Sequence, residues 1–354
     1  MEKSQLKLSI IIPTCNRGKN LVQVLDSVVR LQLDNQFFEL LLIDNASTDN
    51  TKAICENFIQ NHPEIISNYY YEPEPGLLSG RHLGAFKAQG EILSFLDDDV
   101  ELIPTWANSV IEIFEKKQDI DLLAGPNLPK YECYPPDWLE YFWTPTPYKG
   151  RSCGELSLLD LGKQITEIDA IWVWGLNFNI RKSAFYKLKG FHPDIVPGRI
   201  QFLQGDGETG LSIKANEAKL KSLYHYEVMV YHIVPAFRLT KEYFEKRYYY
   251  QGISDSYTKL RTEHGLYLAT ESDNQSTARK SIAKGIIKKI LSIFTSKYSV
   301  KIKPVPDNVL ALKADLQIKY QEGYAYHQQY FNSNQIVHDW VLRTDYMDYK
   351  IPEI

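Results

Sequence analysis

Three adjacent aspartates, Asp97, Asp98 and Asp99, end an apolar run in the stretch GEILSFLDDDVELIP, residues 90–104. Like charges side by side repel one another, and burying them costs free energy unless a cation neutralises them. Carboxylate oxygens are ligands for Mg²⁺ or Mn²⁺, and such an ion can bridge to phosphate oxygens. The triplet is therefore compatible with a metal site and equally with an exposed acidic turn.

A second acidic pair lies in a glycine-flanked turn before a predicted helix. Asp206 and Glu208 belong to the stretch QGDGETGL, where either carboxylate could act as a general base. Acidic residues are also common at helix starts because they interact favourably with the helix dipole. His232 ends a further apolar run, and a lone histidine there is either a metal ligand or a structural residue.

Polar groups that suit a nucleotide follow another apolar run. Asp44, Asn45 and Ser47 offer hydrogen-bond acceptors for a base or a ribose, although Ser47 can equally cap the next helix. Arg81 is predicted near a helix start, where a phosphate would be stabilised; the alternative is a surface arginine.

Alternating strands and helices must position these residues. Continuous apolar runs, typical of buried parallel strands, are followed by stretches with apolar residues at helical spacing. The predicted strands are 6–12, 37–43, 65–71 and 91–96, and the predicted helices are 19–31, 47 or 49 to 58, 77–88 and 104–117. This alternation predicts a doubly wound α/β sheet, in which ligands lie beyond the carboxyl ends of the strands.

The pattern changes after about residue 123. A proline- and aromatic-rich segment, 131–148, is predicted to be a long loop that could close over a ligand. A second folded stretch is predicted over 171–234, and the chain from 243 onward is predicted to be helical.

Composition excludes several classes of protein. The chain has 354 residues, 44% hydrophobic content and a net charge of −4, which gives no case for nucleic-acid binding. No apolar run is long enough to span a bilayer, and the N-terminal run reads as a first strand rather than a signal peptide. Four scattered cysteines without a CxxC pair favour reduced thiols and a cytoplasmic location.

The ordered set of motifs resembles the family 2 glycosyltransferases of the GT-A fold, over roughly the first two thirds of the chain. The stretches that carry the resemblance are LSIIIPTCNR, LLIDNASTDNT, GLLSGRHLGAFKAQGEILSFLDDDV, WGLNFNIRKSAF and GDGETGL…VYH. The resemblance implies a Rossmann-like doubly wound mixed sheet over residues 1–240, with a mainly helical C-terminal extension over residues 241–354.

The resemblance also implies roles for individual residues. Asp97 and Asp99 match the outer residues of the DxD motif: Asp97 would face the ribose or sugar, and Asp99 would ligate the metal. Asp98 between them counts as a further donor-binding candidate, held by backbone geometry. Asp97 also counts as a candidate ligand, and His232 would be a second protein ligand. The implied donor-binding residues are Pro13, Thr14, Asn16 and Arg17 in a first loop, Asp44 on the nucleobase with Asn45 and Ser47 close by, Arg81 near the base or phosphates, and Gly175 and Asn177 at a sugar and acceptor subsite.

Two departures from the family pattern matter. Gly80-Arg81-His82 replaces the Ala-Arg-Asn of many relatives, so the contact of that asparagine is in doubt. Gly207-Glu208 stands where many relatives have Glu-Asp. Matching Leu211 to the leucine after that motif makes Glu208 the catalytic base, with Asp206 as the second candidate because the alignment slides easily in GDGE.

The implied reaction is the transfer of a sugar, with inversion, from a nucleoside-diphosphate sugar to an acceptor hydroxyl, assisted by Mn²⁺ or Mg²⁺. A UDP-sugar is the first choice of donor, and the acceptor would be a glycan, polysaccharide or lipid-linked molecule of the cell envelope. The alternative is a non-catalytic protein that binds nucleotide sugars or carbohydrate on the same scaffold. Trp138 and Trp143 would stack on sugar or pack in the core.

The C-terminal third allows two interpretations. A helix over 279–298 has isoleucines on one face and lysines elsewhere, so it either lies on the inner face of the cell membrane or packs on the catalytic domain. Residues 308–342 are predicted to be helical and to cover the sheet or mediate a homodimer.

Overall fold

The computed structural model describes residues 6–268 and 304–353. Its first part alternates strands and helices: β1 (Leu8–Thr14), α1 (Gly18–Val29), β2 (Phe38–Asp44), α2 (Thr51–Asn61), β3 (Ser67–Tyr71), α3 (Leu77–Lys87), β4 (Ile92–Leu96), β5 (Val100–Leu102), α4 (Trp106–Lys116), β6 (Leu122–Ala124) and β7 (Asn127–Tyr131). The predicted alternation is confirmed, with bounds that differ by a few residues.

The later elements are shorter until the C-terminal helices. They are β8 (Thr144–Pro145), β9 (Arg151–Cys153), β10 (Leu158–Asp160), β11 (Ile165–Ile168), β12 (Asn177–Arg181), α5 (Lys182–Lys187), α6 (Glu208–Glu217), β13 (Ser222–His225), β14 (Val230–Val234), α7 (Lys241–Glu263), α8 (Asp307–Ser333) and α9 (Gln335–Val341). The predicted helix over 279–298 lies outside the described residues, so its membrane contact stays a prediction.

An eight-stranded mixed sheet forms the centre of the molecule, in the order β11-β13-β6-β12-β4-β1-β2-β3. Strands β4, β1, β2 and β3 are parallel, and every residue of β1, β2 and β4 is buried, as their apolar runs predict. Strand β12 runs antiparallel between β4 and β6. The parallel half brings the carboxyl ends of β1, β2 and β4 to one edge, and the whole is a GT-A fold.

A second, six-stranded sheet has the order β5-β14-β7-β10-β9-β8. The proline-rich segment 131–148, predicted to be a loop, contributes strand β8 to this sheet and contains a 3₁₀ turn over Asp137–Phe142. Trp138 packs edge-on against Phe142 and Phe244, at ring-centroid distances of 5.5 and 4.9 Å. Of the two interpretations of Trp138, the structure therefore favours packing.

The C-terminal helices share the core of the sheet. Thr240 caps α7 by accepting a hydrogen bond from the backbone N–H of Tyr243. Tyr257 on α7 and Trp340 on α9 belong to the same buried cluster as Phe178 on β12. The last strand, β14, ends at Val234 and the long helix α7 begins at Lys241, while a domain boundary at residue 240 stays a prediction.

None of the described helices has the length and apolarity needed to cross a membrane. All four cysteines are free thiols, as expected.

Candidate functional site

Two adjoining pockets open at the carboxyl edge of the parallel strands. The first, which we call the aspartate pocket, has a volume of about 480 Å³ and is lined by Pro13, Thr14, Arg17, Asn45, Asp97 and Asp98. The second, the glutamate pocket, has a volume of about 260 Å³ and is lined by Arg81, Asp97, Gly175, Glu208, His232 and Arg238. Asp97 and Arg238 border both, so the two pockets form one cleft.

Asp99 is the most strongly paired of the three aspartates. Its Oδ2 accepts hydrogen bonds from Nη2 of Arg17 at 2.7 Å and from Nη2 of Arg238 at 2.8 Å. Burial alone would raise the pKa of Asp99, but the neighbouring His232, Arg238 and Arg17 outweigh it and hold this pKa below its usual range. Asp99 is therefore a buried carboxylate kept ionised by cations, as a metal ligand must be.

Asp98 ties the first loop to the end of β4. Its Oδ2 accepts from the hydroxyl of Thr14 at 2.7 Å, and its Oδ1 lies 3.1 Å from Nη1 of Arg17. Burial raises the pKa of Asp98 to about 7, although Arg17 opposes the shift. Asp98 is therefore not held by backbone geometry alone. Its side chain binds the loop that carries Thr14 and Arg17.

Arg81 connects Asp97 to Glu208. The guanidinium is buried and lies 3.4 Å from Oδ1 of Asp97 and 3.4 Å from Oε2 of Glu208. The other oxygen of Glu208 accepts from the backbone N–H of Gly175 at 3.1 Å. A Cβ on Gly175 would stand 2.4 Å from Nη2 of Arg81, so glycine is needed for this close approach. Arg81 and Gly175 together fix the carboxylate of Glu208, which stays 28% exposed.

Asp206 has a different environment from Glu208. Its oxygens accept from Tyr267 and Thr258, each at 2.9 Å, and Oδ1 lies 2.9 Å from Nδ1 of buried His192. Burial would raise the pKa of Asp206, but His192 and these hydrogen bonds lower it. The structure thus places Glu208 toward the cleft and ties Asp206 into a buried network under α7.

His232 and Asp99 lie together, as predicted. Nδ1 of His232 faces the carbonyl oxygen of Leu156 at 2.8 Å, and Nη1 of Arg238 lies 2.8 Å from Nε2. Because a guanidinium only donates, Nε2 is the acceptor and the ring proton is on Nδ1. Nε2 is 3.5 Å from Oδ1 of Asp99, which is buried and accepts no hydrogen bond. The orphaned Oδ1 of Asp99 fits a divalent cation, and Nε2 of His232 could be its second protein ligand once it exchanges the hydrogen bond from Arg238 for the cation.

The third predicted ligand does not join this pair. Within residues 6–268 and 304–353, no group of three or more histidine, cysteine, aspartate or glutamate side chains is arranged to hold a metal ion. Asp97 instead pairs with Arg81, and the donor-sugar role implied for it stays a prediction.

The loops after β1 and β2 are connected by hydrogen bonds between their own polar groups. The backbone N–H of Asn16 donates to Oγ of Ser47, and Oδ1 of Asn16 accepts from the backbone N–H of Thr48. Asp44 is buried and accepts from the backbone N–H of Ser47 and from the hydroxyl of Tyr69. The predicted base-binding residues therefore already have partners within the chain.

Two predicted amides have mainly structural contacts. Asn45 lines the aspartate pocket, but its amide donates to the carbonyl oxygens of Glu72 and Glu74. Asn177 lies below the pockets in the sheet, where its amide donates to the carbonyl oxygen of Val228. Neither amide is directed at the cleft, unlike Gly175, which lines it.

Sequence reasoning missed Arg238 and Asp194. Both line the glutamate pocket, and burial together with the charge of Glu208 raises the pKa of Asp194 to about 7. Arg238 follows His232 by six residues in a proline-containing turn, a weak signal that no periodicity reinforces. Neither position could be singled out without the tertiary structure.

Comparison with known proteins gives the site a family context. Residues 9–155 match the model of glycosyl transferase family 2. Validoxylamine A glucosyltransferase of Streptomyces hygroscopicus is 24% identical over 53% of this chain and 47% of its own length. The GalNAc(5)-diNAcBac-PP-undecaprenol beta-1,3-glucosyltransferase of Campylobacter jejuni is 34% identical over 27% of this chain and 31% of its own. The chain thus spans less than half the length of these relatives.

A solved structure resembles this chain in fold over most of its length. A mannosyltransferase of Pyrobaculum calidifontis, in complex with GDP-Man and Mn²⁺, is 15% identical and covers 94% of this chain and 89% of its own, with a TM-score of 0.53. At this identity the likeness concerns the fold.

Proposed function

We propose that this chain, whose residues 9–155 match the model of glycosyl transferase family 2, is a metal-dependent, inverting glycosyltransferase. It moves a sugar from a nucleoside-diphosphate sugar to an acceptor hydroxyl. One observation carries the proposal: the Glu208 carboxylate lines the same pocket as His232, whose Nε2 lies 3.5 Å from the ionised Asp99. The proposed base and one of the two proposed cation ligands thus line the same pocket, and the second ligand lies directly behind His232.

The donor would extend across both pockets. Its nucleoside would lie in the aspartate pocket, beside Thr14, Arg17 and Asn45, and its sugar would enter the glutamate pocket beside Asp97. Arg17 and Arg238, which border the aspartate pocket, would bind the diphosphate between them, since guanidinium groups form strong charge-assisted hydrogen bonds with phosphate. A UDP-sugar is the first candidate, and a donor panel tests this choice.

Asp99 and His232 would hold Mn²⁺ or Mg²⁺. When bound, the ion would supply positive charge for the diphosphate leaving group.

Glu208 would act as the general base. Arg81 and the backbone N–H of Gly175 fix its two oxygens, which leaves the carboxylate to accept the proton of an acceptor hydroxyl. The acceptor oxygen forms a bond to the anomeric carbon while the bond to the diphosphate oxygen breaks. A single displacement of this kind inverts the anomeric configuration.

We propose a glycan or lipid-linked acceptor and a role in cell-envelope polysaccharide synthesis. A cytoplasmic site of action, peripheral membrane contact through 279–298 and a homodimer remain predictions. A non-catalytic binding protein is the second interpretation, but the presence of both Glu208 and the Asp99–His232 pair favours an enzyme.

The test combines nucleotide binding with donor hydrolysis. UDP-, GDP- and dTDP-sugars are screened by thermal shift and by release of nucleoside diphosphate, with and without Mn²⁺. We expect one nucleotide class to give a Mn²⁺-dependent shift, which Asp99→Asn removes. Glu208→Gln should keep that shift and lose hydrolysis by about 10²-fold or more, as expected for loss of a general base.

Glu263→Gln, an exposed carboxylate on α7, is the matched control and should behave like wild type. Hydrolysis unchanged in Glu208→Gln would remove the base assignment. No shift with any donor would favour the binding-protein interpretation or another ligand altogether.

A further inference from the structure

A third pocket, of about 400 Å³, adjoins the glutamate pocket on the side of the C-terminal helices. We call it the tryptophan pocket; its lining includes Trp172, Trp174, Arg247, Gln251, Tyr248 and Glu155, and the carboxylate of Glu155 accepts a hydrogen bond from the hydroxyl of Tyr248. Arg247 and Gln251, both on α7, also line the glutamate pocket. A ligand in the tryptophan pocket could therefore reach Glu208 without leaving the cleft.

The walls of the tryptophan pocket suit a carbohydrate. The rings of Trp172 and Trp174 are stacked, with centroids 6.1 Å apart and planes inclined by 20°, and both side chains are only half-buried. Nε1 of Trp174 donates to the carbonyl oxygen of Ile171, which fixes one ring. Apolar aromatic faces flanked by a few polar groups are typical of small-molecule sites, and a sugar ring offers matching C–H and hydroxyl surfaces.

Arg247 lacks the partner that the other arginines of the cleft have. Arg17, Arg81 and Arg238 each pair with a carboxylate of the cleft. In the described part of the chain, by contrast, Arg247 forms no hydrogen bond or ion pair, and its Nε is buried and unsatisfied. Arg247 is partly buried, and its charge opposes the rise in the pKa of Asp194, but its guanidinium donates no hydrogen bond there and is available to an anion from outside.

We propose that the tryptophan pocket is the acceptor site and that the acceptor is an anionic glycan, which carries a phosphate or a carboxylate close to the attacked hydroxyl. Arg247 binds the anionic group, a sugar ring lies on Trp172 and Trp174, and the attacked hydroxyl points into the glutamate pocket toward Glu208. This inference rests on the proposed transferase function, because it assigns the second substrate of the same cleft.

The assignment gives α7 a role in specificity. The residues that select the acceptor would come from the 170–175 turn and from the C-terminal helices, whereas the donor is bound by the loops after β1, β2 and β4. Acceptor and donor recognition would therefore be separable by mutation.

The experiment measures glycan binding by the full chain on an array that contains neutral oligosaccharides, oligogalacturonates and glycerol phosphate oligomers. We expect at least tenfold stronger binding to an anionic class than to neutral glycans of the same length; whether carboxylate or phosphate oligomers bind identifies the anion. Arg247→Gln should lose this preference, and Arg247→Lys should restore part of it. Lys259→Gln, an exposed cation on the same helix, is the matched control and should bind like wild type.

Trp172→Ala should weaken binding of every glycan about tenfold or more, with an unchanged melting temperature as evidence of folding. Equal binding of neutral and anionic glycans, no binding of any glycan, or an unchanged preference in Arg247→Gln would overturn the proposal. Nucleotide shifts are measured on the same samples. If nucleotide still raises the melting temperature but no glycan binds, the acceptor assignment alone is wrong. If nucleotide does not raise the melting temperature, the proposed function is wrong.

Discussion

At the scale of single residues, the cleft is organised by arginines that connect acidic side chains. Arg81 joins Asp97 to Glu208, and Arg17 joins Asp98 to Asp99. Repulsion within the triple aspartate is thus offset before any ligand binds. Each of these arginines also restricts where its carboxylates point, so the same contacts supply stability and positioning.

Arg238 has a particular position, because it donates both to Oδ2 of Asp99 and to Nε2 of His232. It therefore holds the two candidate metal ligands with a positive charge of its own. We predict that Arg238→Ala binds Mn²⁺ without nucleotide about tenfold more tightly, since a nearby like charge disfavours the cation by about 1 kcal/mol or more. The same variant should bind the nucleoside diphosphate more weakly because a phosphate partner is lost.

Titration of Mn²⁺ by electron paramagnetic resonance measures the first effect, and calorimetry the second. Arg30→Ala, which removes an exposed arginine paired with Glu101, is the control and should change neither. Weaker Mn²⁺ binding in Arg238→Ala would contradict the arrangement described above.

The sequence alone does not decide whether Glu208 or Asp206 is the candidate base. Both are acidic, both flank Gly207, and sliding the motif by two residues exchanges them. They differ only in partners that come from far along the chain, such as Tyr267 and Thr258 around Asp206. The proximity of Asp99 and His232, by contrast, was implied by the family resemblance of their motifs, although His232 lies in the middle of β14 and not at the end of a strand.

At the scale of elements, the first four strands and helices are predictable because long apolar runs and helical periodicity extend over many residues. Strands β5 to β10 contain two to five residues each. Neither the alternation of a strand nor the periodicity of a helix can be recognised in segments this short. Their pairing is set by tertiary contacts, and β8 even includes a proline. This is why the proline-rich segment was predicted as a loop although it adds a strand to the second sheet.

The long C-terminal helices α7 and α8 pack with backbones in contact at two glycines. A Cβ on Gly252 would stand 2.1 Å from the carbonyl oxygen of Tyr320, and one on Gly323 would stand 1.9 Å from that of Tyr249. Glycine costs helix stability of about 1 kcal/mol relative to alanine, so its use in both helix interiors indicates that close approach is required.

We predict that Gly252→Ala lowers the free energy of unfolding by about 3 kcal/mol, because the methyl group forces the helices apart and overpacks their interface. Urea unfolding followed by circular dichroism measures the change. Gly198→Ala is the matched control, since no atom lies within 4 Å of its added Cβ. A stabilised Gly252→Ala, as helix propensity alone would give, would refute the close packing.

At the scale of the whole molecule, the helical extension and the sheet share buried polar groups as well as apolar ones. Trp340 on α9 donates to the carbonyl oxygen of Leu203, and buried Arg261 on α7 donates to those of Val341 and Arg343. The network around Asp206 joins α7 to the loop that carries Glu208. A mutation that disturbs the packing of the C-terminal helices is therefore expected to affect the position of Glu208, although the two are distant in sequence.

Buried histidines make this assembly sensitive to acid. His327 on α8 is buried with Nδ1 2.8 Å from Oγ of Ser256 on α7, and its Nε2 has no partner. Burial lowers the pKa of His327 from 6.5 to about 4. Since the unfolded chain binds the proton more readily, His327 favours folding fully above pH 6.5, and this advantage is lost as the pH falls toward 4.

We therefore predict that the free energy of unfolding decreases between pH 7.5 and pH 5, with about 2 kcal/mol of the decrease due to His327. His327→Gln, which has no titrating group, should be less stable at pH 7.5 and lose correspondingly less on acidification. His62→Gln, at a partly exposed histidine beside Glu64, should keep the wild-type pH dependence. Because protonation of His327 places a charge between α7 and α8, the acid-induced increase in hydrogen exchange of these two helices should be smaller in His327→Gln than in wild type. An equal increase in both proteins would show that His327 does not cause the acid sensitivity of these helices.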